Sequence, residues 1–235
     1  MKKIIHYCWF GDKPLPKDAI KCINSWRKFY PEYDIIEWNE NNFDVNLTNF
    51  SKEAYSCKKW AFVADVARVF ALKEYGGLYF DTDMQVIKRE ESLFKYSFFA
   101  GWDSDLSVAA GVLGACKSHP IINNLFDVYK KIKFDKDNMY AITIPKLLTE
   151  ILKEYGLSND YTDNLLLKED IRIYSVDYFY PLSFDHSEKY FSDNTCMIHH
   201  YGGSWQTNKD KVKLFLIRTF GKKSFDFIKK YILHD

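Results

Sequence analysis

Tyr75-Gly76-Gly77-Leu78-Tyr79-Phe80-Asp81-Thr82-Asp83 decides how this chain is read. The glycine pair stops a helix, Leu78 to Phe80 is a short apolar run of strand type, and two carboxylates stand at its exit. On an extended strand the side chains of i and i+2 point to one face. Asp81 and Asp83 can therefore reach a single divalent cation, a hard ion that prefers oxygen ligands. A cation held by so few protein groups keeps open coordination positions, and a diphosphate can fill them. Two other readings start from the same residues. A hydrophobic strand ending Asp-x-Asp also opens the site of aspartyl-nucleophile phosphatases, where the first Asp attacks phosphorus. Asp-Thr-Asp is also good turn chemistry.

Upstream, Trp60 to Leu72 is apolar on nearly every side, the pattern of a helix buried all round. Its two charges, Asp65 and Arg68, share a face at i, i+3. They either pair with each other or line a polar cavity, because a buried charge without good partners is costly. A sugar suits such a cavity: Asp accepts from hydroxyls, and Arg donates to hydroxyl or phosphate oxygens.

Before that helix, Ile4 to Trp9 reads as a first strand, Ile20 to Arg27 as a helix ended by Pro31, and Ile35 to Trp38 as a second strand. Asn39 to Ser51 is polar and irregular. After the carboxylates, Met84 to Ile87, Phe98 to Trp102 and Val108 to Gly114 read as strands, with Asp103 and Asp105 in a loop that can face an acceptor. Pro120 to Ile132 and Ile144 to Tyr155 read as helices, and Ile171 to Tyr174 and Thr195 to His200 as late strands. The alternation predicts an α/β fold, a Rossmann-like, mainly parallel sheet with flanking helices. Ligands of open α/β sheets gather at the carboxyl ends of strands, where Trp9, Asp81, Asp83 and His200 all fall.

His199-His200 leads into Tyr201-Gly202-Gly203-Ser204-Trp205, a glycine turn suited to a loop that folds over a ligand. Neighbours on a strand face opposite ways, so one histidine at most looks into the site. His200 is the expected third metal ligand, and Ser204 or Trp205 the expected holder of phosphate oxygens. Trp9 either stacks on a base or packs beneath the sheet.

The 235 residues suit one catalytic domain, expected over 1–208, with a basic amphipathic helical tail over 209–235. Lys and Arg total 33 against 32 Asp and Glu, so bulk charge gives no argument for nucleic acid. The five cysteines are an odd number with no Cys-x-x-Cys pair, which points to a reducing compartment. The N-terminus reads as a strand and not as a leader, and no stretch is long and apolar enough to span a membrane. A cytoplasmic protein is expected. The lysine-rich tail from Lys209 to Lys230 either packs on the domain or rests peripherally on the anionic inner face of the plasma membrane.

The motifs together resemble glycosyltransferase family 32, the sugar-binding region family with a DXD motif, which holds capsular-polysaccharide transferases and is related to the glucosyltransferase domains of large clostridial toxins. The likeness rests on Ala64-Asp65-Val66-Ala67-Arg68, on Tyr75 to Asp83, on Ile4 to Gly11 and on Ile198-His199-His200 through Ser204-Trp205. It implies a GT-A fold, a nucleotide-sugar donor, Mn2+ or Mg2+, and retention of anomeric configuration. By the same resemblance Trp9 would stack on the base, Trp60 and Tyr79 would line the donor, and Asp65 and Arg68 would hold its sugar. Asp83 would bind metal, Asp81 would contact ribose and metal, and Trp205 would reach the diphosphate. The toxin relatives carry a carboxylate where His200 falls. The expected reaction is transfer of a hexose from a UDP-linked donor to a glycan or lipid-linked glycan, in capsule or surface polysaccharide synthesis. A phosphatase, or a module that binds nucleotide-sugars without transfer, stands as the alternative.

Overall fold

The computed structural model describes residues 1–104, 107–158, 165–202 and 217–219. A seven-stranded sheet forms its centre, in the order β2-β1-β3-β6-β5-β8-β7. The strands are β1 (Ile4–Cys8), β2 (Asp34–Trp38), β3 (Gly77–Phe80), β5 (Phe98–Ser104), β6 (Ser107–Ala115), β7 (Leu165–Leu167) and β8 (Ile171–Tyr174). Pairing is parallel for β1 with β2 and β3 and for β5 with β8, and antiparallel around β6 and β7. Five of the seven strands thus run one way, with β6 and β7 opposed, as a mainly parallel α/β sheet requires. A separate two-stranded ladder joins β4 (Met84–Val86) to β9 (Met197–His199).

The helices are α1 (Lys17–Phe29), α2 (Asn49–Ser56), α3 (Trp60–Tyr75), α4 (Pro120–Lys131), α5 (Ile144–Glu154) and the single turn α6 (Val176–Phe179). Alternate residues of β3 feed two cores. Tyr79 joins the core packed with α3 and α4, and Leu78 and Phe80 join the core packed with α1 and α6. A strand buried on both faces reads as a continuous apolar run, which is why Leu78-Tyr79-Phe80 shows no alternation. Trp26 on α1 is fully buried and donates its indole N–H to the Met84 carbonyl at 2.6 Å, tying α1 to β4 behind the carboxylates.

The Gly76-Gly77 turn is required by backbone shape and by space. Their φ angles are 67° and 106°, which a Cβ disfavours. A Cβ on Gly76 would lie 2.5 Å from the Lys117 amide nitrogen, and one on Gly77 2.7 Å from the Ile4 carbonyl oxygen. Beneath this turn His6, fully buried, accepts from the Trp38 indole N–H at 3.1 Å through Nδ1. An indole nitrogen can only donate, so Nε2 carries the proton and donates to the Gly76 carbonyl at 3.0 Å.

Several expectations shift. Asn39–Ser51 is not irregular throughout: Thr48 caps α2, accepting from the Ser51 amide at 3.0 Å. Asp103 lies within β5 and not in a loop, because β5 and β6 extend their pairing beyond the apolar run. Met84 to Val86 leaves the main sheet for β9, and β7 and α6 are short elements without a periodic signature. The boundary expected at residue 208, Asp105 and most of the tail lie outside the described residues. No described helix is long and apolar enough to cross a membrane.

Burial holds His6 neutral, with its pKa below the ordinary 6.5. Its contribution is fully present above the unfolded value and is lost as pH falls toward the folded one. A His6→Gln substitution should cost about 1–3 kcal/mol at pH 7.5 by leaving a buried polar partner unpaired. The gap between the native chain and this variant should narrow from pH 7.5 to 5. Urea denaturation across that range checks it, and a gap that widens on acidification contradicts it.

Candidate functional site

The apolar run of β3 carries the chain to its carboxyl end, and there it turns. The Met84 amide donates to the Asp81 carbonyl at 2.9 Å, closing a turn over Asp81, Thr82 and Asp83. The two carboxylates converge through this turn and not through the pleat of an extended strand. Asp81, Asp83 and His199 place one ligand atom each within 4.8 Å of one another.

Behind Asp81 lies the charge pair of α3. Asp65 and Arg68 are 7% and 5% exposed. Arg68 Nη2 lies 3.1 Å from Asp65 Oδ1 and 3.2 Å from Asp81 Oδ1, and Nη1 donates to the Ala110 carbonyl at 2.7 Å. Its guanidinium sits 4.5 Å over the Tyr79 ring, and the Tyr79 hydroxyl donates to Asp81 Oδ1 at 3.0 Å. Arg68 is thus paired with Asp65 and also bonded to the first carboxylate. Its Nε, buried, finds no hydrogen-bond partner among the described residues.

Burial pushes the Asp65 carboxyl up to about 7, with Arg68 and the Ile144 amide pulling it down and Asp81 pushing it further up. Burial works against the charge of Arg68, yet Asp81, Tyr79 and Asp65 hold it firmly protonated. Gly111 on β6 keeps the floor beneath Asp81 open. A Cβ there would lie 3.1 Å from Asp81 Oδ2 and 3.3 Å from the Tyr180 hydroxyl.

Asp83 immediately precedes β4 and meets β9. Its Oδ1 is 3.1 Å from His199 Nε2, and its Oδ2 accepts from the Gly202 amide at 2.7 Å. Burial alone would raise the Asp83 pKa. The charge and hydrogen bond of His199, with the Gly202 amide, instead hold it below the usual carboxylate range. His199 is raised in turn, because Asp83 outweighs the burial that would lower it.

The histidine beside the carboxylates is therefore His199 and not His200. In the β4–β9 ladder His199 stands opposite Met84, and alternation sends His200 the other way. The His200 imidazole lies 2.8 Å from Gln85 Oε1, and its backbone amide donates to the Asp83 carbonyl at 3.0 Å. Trp9 follows β1, half-buried, with its indole N–H closed onto the Lys13 carbonyl at 2.6 Å. Trp60 packs edge-on to Tyr55 and against Gly11, where a Cβ would come within 2.8 Å of its ring. The contacts described for these two tryptophans do not join them to the carboxylates. Ser204 and Trp205 lie outside the described residues. Tyr180 and Tyr201, which flank His199 at ring distances of 5.6 and 4.0 Å, carried no signal beyond being aromatic.

Residues 16–99 match the family described as "Glycosyltransferase sugar-binding region containing DXD motif". Inositol phosphoceramide mannosyltransferase 3 of Schizosaccharomyces pombe is 26% identical over 128 residues, 51% of this chain and 35% of that protein. Mannosyl phosphorylinositol ceramide synthase CSH1 of Saccharomyces cerevisiae is 25% identical over 196 residues, 75% of this chain and 50% of that protein. The chain spans half or less of the length of these curated relatives. The solved structure of PaToxG glycosyltransferase superposes with a TM-score of 0.55 at 19% identity, over 65% of this chain and 69% of that one. The shared architecture is the GT-A fold.

Removing the cation at the centre of this buried group strands two carboxylates. Arg68→Met should destabilise the chain by about 3–5 kcal/mol, the usual cost of leaving a buried charge uncompensated. Urea denaturation checks it. A loss under about 1 kcal/mol would mean that Asp65 and Asp81 do not depend on the guanidinium.

Proposed function

We propose that this chain, whose residues 16–99 match the DXD-containing glycosyltransferase sugar-binding family, transfers a hexose from a nucleotide-diphosphate sugar to a glycan or a lipid-borne glycan acceptor. The observation that carries this reading is the convergence of Asp81, Asp83 and His199 within 4.8 Å, next to the Asp65–Arg68 pair at the carboxyl end of β3. Two carboxylates and one imidazole suit a divalent cation that tolerates nitrogen, so Mn2+ fits this donor set better than Mg2+. A cation bound there supplies the positive charge that neutralises a departing diphosphate.

The chain's own residues divide the remaining work. Arg68, oriented by Asp65, Asp81 and the Ala110 carbonyl, offers to a hydroxyl or phosphate oxygen the Nε–H that has no partner among the described residues. Asp65 accepts from a sugar hydroxyl, and Tyr79 walls the nucleotide side. Trp9, Trp60, Ser204 and Trp205 complete the donor contacts. No double-displacement nucleophile is assigned. Retention is proposed through attack from the face that the leaving group vacates, and the diphosphate is taken as UDP.

The names of the fungal relatives support a mannosyl donor among the hexoses and an acceptor carried on a lipid. Five free thiols support a cytoplasmic setting, and surface polysaccharide synthesis is the proposed role. The phosphatase reading has no comparable support.

Release of free nucleoside diphosphate from a panel of UDP- and GDP-hexoses, with Mn2+, Mg2+ or EDTA, tests the proposal. Mn2+-dependent release is expected, falling by about a hundredfold or more in Asp83→Ala without loss of fold. Near-native turnover of Asp83→Ala, or release indifferent to EDTA, overturns the metal role. Co-sedimentation with anionic and neutral vesicles tests the tail. Salt-sensitive binding to the anionic set is expected, on the order of 1 kcal/mol per basic residue, and equal, negligible binding to both sets returns the tail to packing on the domain.

A further inference from the structure

Tyr201 is held by three contacts, and the residue after it binds the carboxylate site directly. Its ring lies 4.0 Å from the His199 ring. Its hydroxyl donates to Asp103 Oδ1, on β5 of the main sheet. Its carbonyl accepts from Arg218 at 3.2 Å. The next residue, Gly202, gives its amide to Asp83 Oδ2 at 2.7 Å. Tyr201 has φ 49°, the left-handed region that a Cβ disfavours, although a glycine stands beside it. This backbone reverses the chain, so that the ring folds back onto His199 while the Gly202 amide turns toward Asp83. Tyr201 is 6% exposed, and its hydroxyl's bond to Asp103 is partly buried.

The β4–β9 ladder that carries His199 is separate from the main sheet, whereas Asp81 leaves the main sheet directly. Ligands on two independent sheets need a brace to hold their separation. Tyr201 spans that gap, with its backbone on the β9 side and its hydroxyl on β5. We infer that Tyr201 and Asp103 form a positioning pair that fixes His199 and Asp83 as ligands of the cation. Neither residue touches the cation. Tyr201 orients the imidazole by stacking and presents the Gly202 amide, and Asp103 anchors Tyr201. Partners that orient metal ligands from behind typically change metal affinity by about 10- to 100-fold when removed.

The inference rests on the proposed cation site, and direct Mn2+ titration separates the two. Free Mn2+ is followed by its paramagnetic resonance signal, with the nucleotide-sugar left out. Tyr201→Phe keeps the ring and removes the hydroxyl, and Asp103→Asn weakens the acceptor. Each variant should bind Mn2+ at least about tenfold more weakly than the native chain. The double variant should be no weaker than the worse single one within about twofold, because both changes break one bond. Melting temperatures in EDTA report the folded fraction of each. Mn2+ affinity within twofold of native in both folded single variants overturns the inference alone, as does a double variant in which the two losses multiply. Failure of the native chain to bind Mn2+ overturns the cation site and this inference together.

Discussion

Arg68 is the interaction on which the site depends. Placing a guanidinium in the middle of an apolar helix is costly unless its hydrogen-bonding groups are met. Here Asp65 meets it from one turn back, Asp81 from the end of β3 and the Ala110 carbonyl from β6. Those partners come from the helix, the strand and the neighbouring strand, so the charge can be satisfied only when all three are docked. The same bonds fix where Asp81 stands. Among the described residues its buried Nε has no partner.

Around that centre the fold supplies two kinds of rigidity. The main sheet holds Asp81 and Asp103, on strands buried from both sides. The small β4–β9 ladder holds Asp83 and His199, and it is fastened behind by the Trp26 indole and in front by Tyr201. Polar groups thereby converge on a point served by both sheets, at the carboxyl end of β3, where α/β folds commonly take ligands.

Much of this was legible in the chain before any coordinates. The helix from Trp60 to Tyr75 is bounded as its apolar pattern and glycine stop indicate, because a helix buried all round leaves no ambiguity of face. Asp65 and Arg68 stand out because charge in an apolar helix is rare and must be explained, and Asp81 and Asp83 because they close an apolar strand. The less legible parts have physical causes. The choice between His199 and His200 depends on register with β4, the pairing of His199 with Met84, 115 residues away in sequence, that no local pattern encodes. Asp103 has the polar neighbours of a loop residue, while the strand continues through backbone pairing that is indifferent to side chains. Tyr180 and Tyr201 act through tertiary placement, and one aromatic among many has no signature of its own. The likeness of Asp-Thr-Asp to a turn and its likeness to a ligand pair were not rivals, since the turn is what brings the carboxylates together.

The three-residue ladder between β4 and β9 makes the identity of the nitrogen donor a matter of frame. His199 and His200 are chemically the same, and parity alone distinguishes them. A slip of one position would turn His199 away and set His200 opposite Met84 in its place. A slip of two would restore the face but empty the site, with Tyr201 where the imidazole stands. Any lengthening or shortening of the stretch leading into β9 has to be absorbed before Met197, because past that point the chain is counted one residue at a time.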